Sequence, residues 1–290
     1  MTTAVAPVAR NVEPGTIERY EREGYLLVRG LLSADEAAEI RDAFMALNAN
    51  GPVAGLSEQI RWNGDAKPGI TYDPADPLAF YPRMMNPHRH LDKAVGALSL
   101  KYLLDARIEP YLAALLGDEP IAAQSMFYFK PPGARGQDFH QDNFYLRVKP
   151  GSCLAAWVAI DDCDEGNGGM MVVPTTQTMD VACPQPTTDK ARFFTNDHVP
   201  VPAGLEKVPC NMKAGDVLFF NGSLIHGSYP NTSKDRFRRS FICHYVPRGC
   251  AEVAHWYRPL LDFRGQEVVR APAEGGGPCG EAQPLVKGPH

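Results

Sequence analysis

Phe139-His140-Gln141-Asp142 sets an imidazole and a carboxylate two residues apart, beside a β-prone stretch. On a strand, residues two apart point to one side, so both can reach a single ion. A second imidazole, His226, stands in Asn221-Gly222-Ser223-Leu224-Ile225-His226-Gly227-Ser228, directly after the apolar run Val217–Phe220. Two imidazoles and one carboxylate on one face form the ligand set of non-haem Fe(II) oxygenases, with three coordination positions left open. Neutral histidine and ionised aspartate suit a divalent ion whose charge one carboxylate halves. The same His-x-Asp spacing recurs in His90-Leu91-Asp92. That triplet opens a predicted helix, where residues two apart diverge by about 200° and cannot share an ion. Ser223 stands near His226, but no Gly-x-Ser-x-Gly elbow surrounds it, so a serine hydrolase is disfavoured.

A basic cluster follows in Arg236-Phe237-Arg238-Arg239-Ser240-Phe241-Ile242-Cys243-His244-Tyr245. On a strand, Arg238, Ser240, Ile242 and His244 share one face, and Arg239, Phe241 and Cys243 the other. An arginine inside a barrel is costly unless it meets an anion. Its planar fork suits a carboxylate held by two bonds.

The elements that must position these groups fall into two parts. From about 16 to 116 the chain reads as helical support. Thr16–Glu23 is a short helix stopped by Gly24, Tyr25–Arg29 an apolar strand-length run, and Ser33 with Glu36 a capping box opening a helix through Leu47. A second helical region covers about 91–116, with Leu98, Leu100, Leu103, Leu104 and Ile108 as core candidates. Residues 51–88, rich in Pro, Gly and Asp, read as a long surface loop. From about 121 to 250 short β-prone runs alternate with turns: Gln124–Lys130, Tyr145–Val148, Ser152–Ile160, Gly169–Val173, Asp216–Phe220 and Ser240–Val246. The fold class expected is mainly β with flanking helices, around a jelly-roll (double-stranded β-helix, cupin-like) core. Residues 178–212 form a proline-rich insertion, a lid or a disordered segment by its length, and the tail 271–290 reads as irregular. The chain is expected to be one domain over 1–290.

Composition narrows the function. The 290 residues carry 29 basic and 34 acidic side chains, a formal charge of −5, with 44% hydrophobic and 22% charged residues. A folded, soluble protein is expected, with no nucleic-acid partner held by phosphate contacts. No run of 18 apolar residues is present, so no membrane partner is expected. The opening MTTAVAPVARNVEPGT lacks an apolar signal core, which points to the cytoplasm. Seven cysteines without a Cys-x-x-Cys pair argue against a disulfide framework and for reduced thiols.

The sequence resembles the phytanoyl-CoA dioxygenase family of Fe(II)- and 2-oxoglutarate-dependent oxygenases over most of residues 16–247. Tyr20 to Leu32 (YEREGYLLVRGLL) is similar to the family's usual beginning. Lys130-Pro131-Pro132, His140-Gln141-Asp142, Ala156-Trp157-Val158-Ala159-Ile160, Asn167-Gly168-Gly169 and Pro174 follow its central pattern in order. His226-Gly227-Ser228, Asn231 and Phe237-Arg238-Arg239-Ser240 match its closing segment. The resemblance implies that His140, Asp142 and His226 bind iron and that Arg238 grips the distal carboxylate of 2-oxoglutarate, with Arg239 the alternative. It also places Met126 and Trp157 at the co-substrate pocket or in ordinary packing, and asks for one further polar contact, which Arg83 or Gln124 could supply. The implied cofactors are Fe(II), 2-oxoglutarate and O₂. The implied reaction is hydroxylation of a small metabolite with release of succinate and CO₂. An aspartate at 142, where halogenases of this superfamily carry Gly or Ala, favours hydroxylation or a related oxidation.

Asn143, Phe144 and Tyr145 are candidates for substrate contact, and the 178–212 insertion for its cover. Trp62, Tyr72 and His255-Trp256-Tyr257 either approach the mouth or pack. A monomer or homodimer is expected. Two other readings use the same residues: a metal-dependent hydrolase, which needs no Arg238, and a non-catalytic small-molecule-binding jelly roll.

Overall fold

The computed structural model describes residues 12, 15–58 and 75–273. The first half holds α1 (Thr16–Glu23), β1 (Tyr25–Val28), α2 (Ala34–Leu47), α3 (Pro77–Phe80), β2 (Met84–Met85), α4 (Ala94–Leu103), α5 (Glu109–Leu116), β3 (Pro120–Tyr128), β4 (Gln137–His140) and α6 (Asn143–Leu146). There follow β5 (Leu154–Ala159), β6 (Met170–Val172), β7 (Gln185–Pro186), β8 (Asp197–His198), β9 (Val208–Cys210), β10 (Val217–Asn221), β11 (His226–Ser228) and β12 (Ser240–Pro247). Four two-residue strands end the described chain: β13 (Glu252–Val253), β14 (Leu260–Leu261), β15 (Glu267–Val268) and β16 (Ala271–Pro272).

The architecture is the expected jelly roll. A large sheet runs β1-β10-β5-β12-β3-β14-β15, with β2 added at β3, and a smaller one runs β4-β11-β6-β9. Alternation along the large sheet divides its two faces. Trp157, Leu218, Phe220 and Ile242 turn inward and pack with Met170 and Val172 of the small sheet. Val158, Phe219, Phe241 and Cys243 turn outward and pack with Phe44 of α2, Leu103 of α4 and Leu112 of α5. The helices thus cover the outer face, and the inner faces of both sheets are left to enclose a site.

Local chemistry explains the helices. Ser33 Oγ accepts the Glu36 N–H at 3.2 Å, and the Glu36 carboxylate accepts the Ser33 N–H at 2.8 Å, the capping box that the spacing predicts. The helical region expected over about 91–116 holds two helices, α4 and α5. Between α4 and α5 the Asp105 side chain accepts the Arg107 N–H at 2.9 Å, and Pro110 then pre-sets the first turn of α5. Leu103 and Ile108 are buried, and Leu98, Leu100 and Leu104 are partly buried against the same core.

Four further expectations are corrected. Tyr145–Val148 is not a strand: residues 143–146 form α6, closed by Leu146 N–H to Asp142 O and Arg147 N–H to Asn143 O. The 51–88 segment is not all surface loop, since Met84 is fully buried and pairs with Phe127, and Asp76 caps α3. Within the insertion, β7 and β8 form a hairpin and Val208–Cys210 completes the small sheet against β6, so that stretch is ordered by ladder bonds. Cys153, Cys163, Cys210, Cys243 and Cys250 are free thiols, but Cys183 is disulfide-bonded; the absence of a framework pattern did not exclude a single bridge. Trp62, Tyr72 and the tail beyond 273 lie outside the described residues. Among those residues no helix is long and apolar enough to cross a membrane.

Two stability predictions follow from the helix–sheet seam. Phe44 is fully buried and stacks on Phe127 with centroids 4.0 Å apart and planes 1° from parallel. Phe44→Ala is expected to cost about 3–5 kcal/mol, read as a lower midpoint in denaturant. Arg107 and the Ser33 N–H hold the Glu36 carboxyl down at about 2. A depressed acid contributes stability above its unfolded value and loses it as pH falls through the folded one. Glu36→Gln is therefore expected to be less stable than the parent at pH 7, by about 1 kcal/mol or less at this partly exposed site. The difference should vanish by about pH 2 in acid unfolding curves.

Candidate active site

Strands β4 and β11 run antiparallel with His140 directly opposite His226, and the two ring centroids lie 4.2 Å apart. A bulge follows in this ladder, between His226 and Ser228, and brings the chains close. A Cβ on Gly227 would sit 3.0 Å from the Gln137 carbonyl oxygen, so the residue between His226 and Ser228 must be small. Asp142 reaches the same point by a route different from the expected one. The strand ends at His140, and Asp142 adopts helical angles (φ −61°, ψ −34°) at the head of α6. That turn folds its carboxylate back, placing Oδ1 3.6 Å from His140 Nε2 and 3.5 Å from His226 Nε2. The expected shared strand face is corrected to a strand end plus a turn, with the same convergence.

Both imidazoles are oriented by the backbone. Nδ1 of His140 bonds the Asp138 carbonyl at 2.8 Å, and Nδ1 of His226 the Leu224 carbonyl at 2.9 Å. A carbonyl only accepts, so each Nδ1 carries the proton and each Nε2 presents a lone pair. Burial, with His226 beside it, pulls His140 down to about 3, which keeps the ring neutral. One ligand atom from each of His140, Asp142 and His226 lies within 4.8 Å of the others, and all three residues are buried. Two imidazole nitrogens and one carboxylate oxygen, fixed by outer hydrogen bonds, fit a non-haem Fe(II) ion. His90 and Asp92 do not converge with any third ligand among the described residues.

The centre opens on a cavity of about 300 Å³ walled by Met126, Tyr128, Trp157, Met170, Phe220 and Ile242. Met126 and Trp157 both line this cavity. Arg238 is 2% exposed, and its guanidinium carbon lies 5.4 Å from the Trp157 ring centroid. Its Nε donates to Gly168 O at 3.0 Å and its Nη1 to Ser240 Oγ at 2.8 Å, and it forms no ion pair among the described residues. Arg239 is turned away and paired with Asp161 through two bonds of 2.8 Å. Of the two candidates, Arg238 faces the interior.

Lys130 is a cation that spacing alone did not single out. It is 2% exposed, and its Nζ donates to Ser228 Oγ at 2.7 Å, Tyr229 O at 2.6 Å and Gly168 O at 3.3 Å. Burial, and Arg238 beside it, push its pKa well below the ordinary lysine value. Gly168, with φ +90°, has no room for a side chain: a Cβ would meet Lys130 Cδ at 2.4 Å and Tyr229 O at 2.9 Å. Asn167 and Asn231 tie the loops around it, donating to Phe237 O at 3.0 Å and Lys130 O at 3.1 Å. Among the described residues neither Lys130 nor Arg238 is paired with a carboxylate, and both donate to the Gly168 carbonyl.

Other candidates separate on inspection of their contacts. Arg83 is buried, donating to Tyr128 Oη at 2.6 Å and to both Glu58 carboxylate oxygens. Gln124 is fully buried opposite His244 in the ladder, away from the cavity lining. Phe144 and Tyr145 border a second cleft of about 200 Å³ with His140 and with Pro184, Asp197 and His198 of the insertion. Asn143 instead accepts the Val148 N–H at 3.0 Å and serves the loop. Tyr257 is buried in a core cluster, and Trp256 packs beside it with Arg147 over its ring. Ser223 Oγ lies 3.2 Å from Ser152 Oγ, with no base engaged. Sequence reasoning also passed over Gln137, whose amide is 3.1 Å from His140 Nε2, and the role of His244, whose Nε2 is 3.0 Å from Asp142 Oδ2. For His244 the two-residue step from Arg238 was the available signal.

The family model for phytanoyl-CoA dioxygenase matches residues 20–240. Phytanoyl-CoA dioxygenase 1 of Oryza sativa subsp. japonica is 24% identical over 245 residues, covering 78% of this chain and 86% of its own length. The peroxisomal phytanoyl-CoA dioxygenase of Mus musculus is 25% identical over 290 residues, covering 87% of this chain and 79% of its own. Among solved structures, the non-heme alpha ketoglutarate dependent carbocyclase SnoK from nogalamycin biosynthesis superposes with a TM-score of 0.62 at 19% identity, over 92% of this chain and 96% of its own. EctD from S. alaskensis, solved with 2-oxoglutarate and 5-hydroxyectoine, gives 0.58 at 23% identity, over 84% and 81%. These structures share the fold.

Lys130→Met is expected to leave Ser228 Oγ, Tyr229 O and Gly168 O without their shared donor. Loss of that buried hydrogen-bonded group should cost about 2–3 kcal/mol, seen as a lower unfolding midpoint in denaturant.

Proposed function

The chain belongs to the phytanoyl-CoA dioxygenase family, and from that premise we propose that it is an Fe(II)- and 2-oxoglutarate-dependent dioxygenase that hydroxylates a C–H bond of a small-molecule metabolite. The observation that carries this reading is a cavity with a His–Asp–His cluster in its wall and Arg238 buried beside Trp157, with no acid paired to it among the described residues. The three ligands would hold iron, and Arg238 would take the distal carboxylate of 2-oxoglutarate. Bound together with O₂, these groups supply oxidative decarboxylation to succinate and CO₂ and an oxidant strong enough to attack an unactivated C–H bond.

The chain's own residues do the rest. His140 and His226 are aimed at one point because their Nδ1 protons are committed to carbonyls. Lys130 and Arg238 both bond the Gly168 carbonyl, which fixes the floor of the anion site. Met126, Trp157 and Ile242 exclude water around the co-substrate chain. Phe144 and Tyr145, which border the second cleft with Asp197 and His198, would contact the substrate there. A metal-dependent hydrolase would have no use for an unpaired interior arginine.

Metabolites screened with Fe(II), ascorbate and 2-oxoglutarate should include some that stimulate succinate release, abolished by a chelator. Product formation without 2-oxoglutarate would favour the hydrolase, and no stimulated turnover would favour a binding protein. Removing a buried charge's partner costs about 2–5 kcal/mol. Arg238→Leu should therefore raise the KM for 2-oxoglutarate by about 30-fold or more while changing metal affinity by about threefold or less. Unaltered kinetics in that variant would reject the assignment of Arg238.

A further inference from the structure

We infer that His244 is a positioning residue for the metal centre: its Nε2–H holds Asp142 by Oδ2, so that the carboxylate meets the ion through Oδ1. This rests on the metal-site reading above and extends it to a residue outside the ligand set. His244 Nε2 and Asp142 Oδ2 are 3.0 Å apart, and both side chains are 1% exposed. An ionised carboxylate only accepts, so the imidazole is the donor. The oxygen not engaged by His244, Oδ1, is the one that stands 3.5 and 3.6 Å from the two ligand nitrogens. The carboxylate is thus turned with one oxygen to the centre and one to His244.

The two partners differ in how firmly the fold holds them. Asp142 lies in a turn between β4 and α6. His244 lies inside β12, which is paired on both sides, with Gln124 of β3 opposite on one and Ala155 of β5 on the other. The bond carries the rigidity of a central strand to a ligand on a turn. The same strand face presents Ser240, which orients Arg238, and Ile242, which walls the cavity. With Oδ2 committed, the carboxylate contributes one oxygen, and the protein donors stay at three. An imidazole at the centre of a buried strand would be costly without such a partner, and a purely structural role needs no alignment with the ligand set.

The test is Co(II) binding to the metal-free full chain, followed by calorimetry, for the parent, His244→Leu and His244→Gln. Outer partners of metal ligands typically contribute 10–100-fold to affinity, so His244→Leu should bind Co(II) about 10–100-fold more weakly. His244→Gln, which keeps a side-chain N–H, should return to within about threefold of the parent. Leucine binding as tightly as histidine, or glutamine as weakly as leucine, would overturn the role. If neither variant folds by circular dichroism, nitrogen-15 imidazole NMR of the Zn(II)-loaded parent decides. A proton on His244 Nε2 supports the bond, and a bare Nε2 overturns it. A parent that binds neither metal would reject the metal-site reading itself.

Discussion

The register of β4 against β11 is the constraint on which the site depends. It sets His140 opposite His226, and because side chains alternate across a strand, a slip of one residue would send one ring to the wrong face. Several features pin that register from outside the pair. Val172 of β6 flanks His226 on the other side, Gly227 admits the close approach of the Gln137 carbonyl, and Ser228 Oγ accepts from the Gln137 N–H at 3.1 Å. Lys130 reaches the same Ser228 hydroxyl, so the register is coupled to the anion end of the cavity.

The second organising force is a concentration of positive charge where water is excluded. Lys130 and Arg238 share the Gly168 carbonyl and have no acidic partner among the described residues, while the nearby Arg239 and Arg236 are paired with Asp161 and Asp164. Burial lowers Arg238 to about 10 and Lys130 further below its ordinary value. Such an interior is stable only because carbonyls and hydroxyls solvate the charges, and it is better satisfied by an anion. The strand that begins beside Arg238 carries His244 further along, so β12 serves both ends of the cavity.

Much of this was legible in the sequence because it follows short-range rules. The two-residue step along Arg238, Ser240, Ile242 and His244 put Arg238 and Arg239 on opposite faces, and they stand so. The Ser33–Glu36 cap and the Gly24 stop to α1 are equally local. The jelly roll followed from many short strands divided by turns. What failed depended on contacts distant along the chain. The 145–148 run is β-prone in isolation, but the Asn143 N–H donates to the distant Gly222 carbonyl at 2.8 Å, and the chain turns helical over 143–146. Val208–Cys210 is strand only because β6 offers an edge. Lys130 lies 98 residues from its Ser228 acceptor, and His244 lies 102 from Asp142, separations that no local pattern encodes.

The most direct test of the central claim is the visible absorption that arises when 2-oxoglutarate chelates protein-bound Fe(II) in the absence of oxygen. The arrangement of His140, Asp142, His226 and Arg238 predicts that the band forms in the parent, is lost in His226→Ala, and in Arg238→Leu appears only at much higher 2-oxoglutarate. Fe(II) that binds without producing the band, or a band indifferent to His226→Ala, would contradict the account.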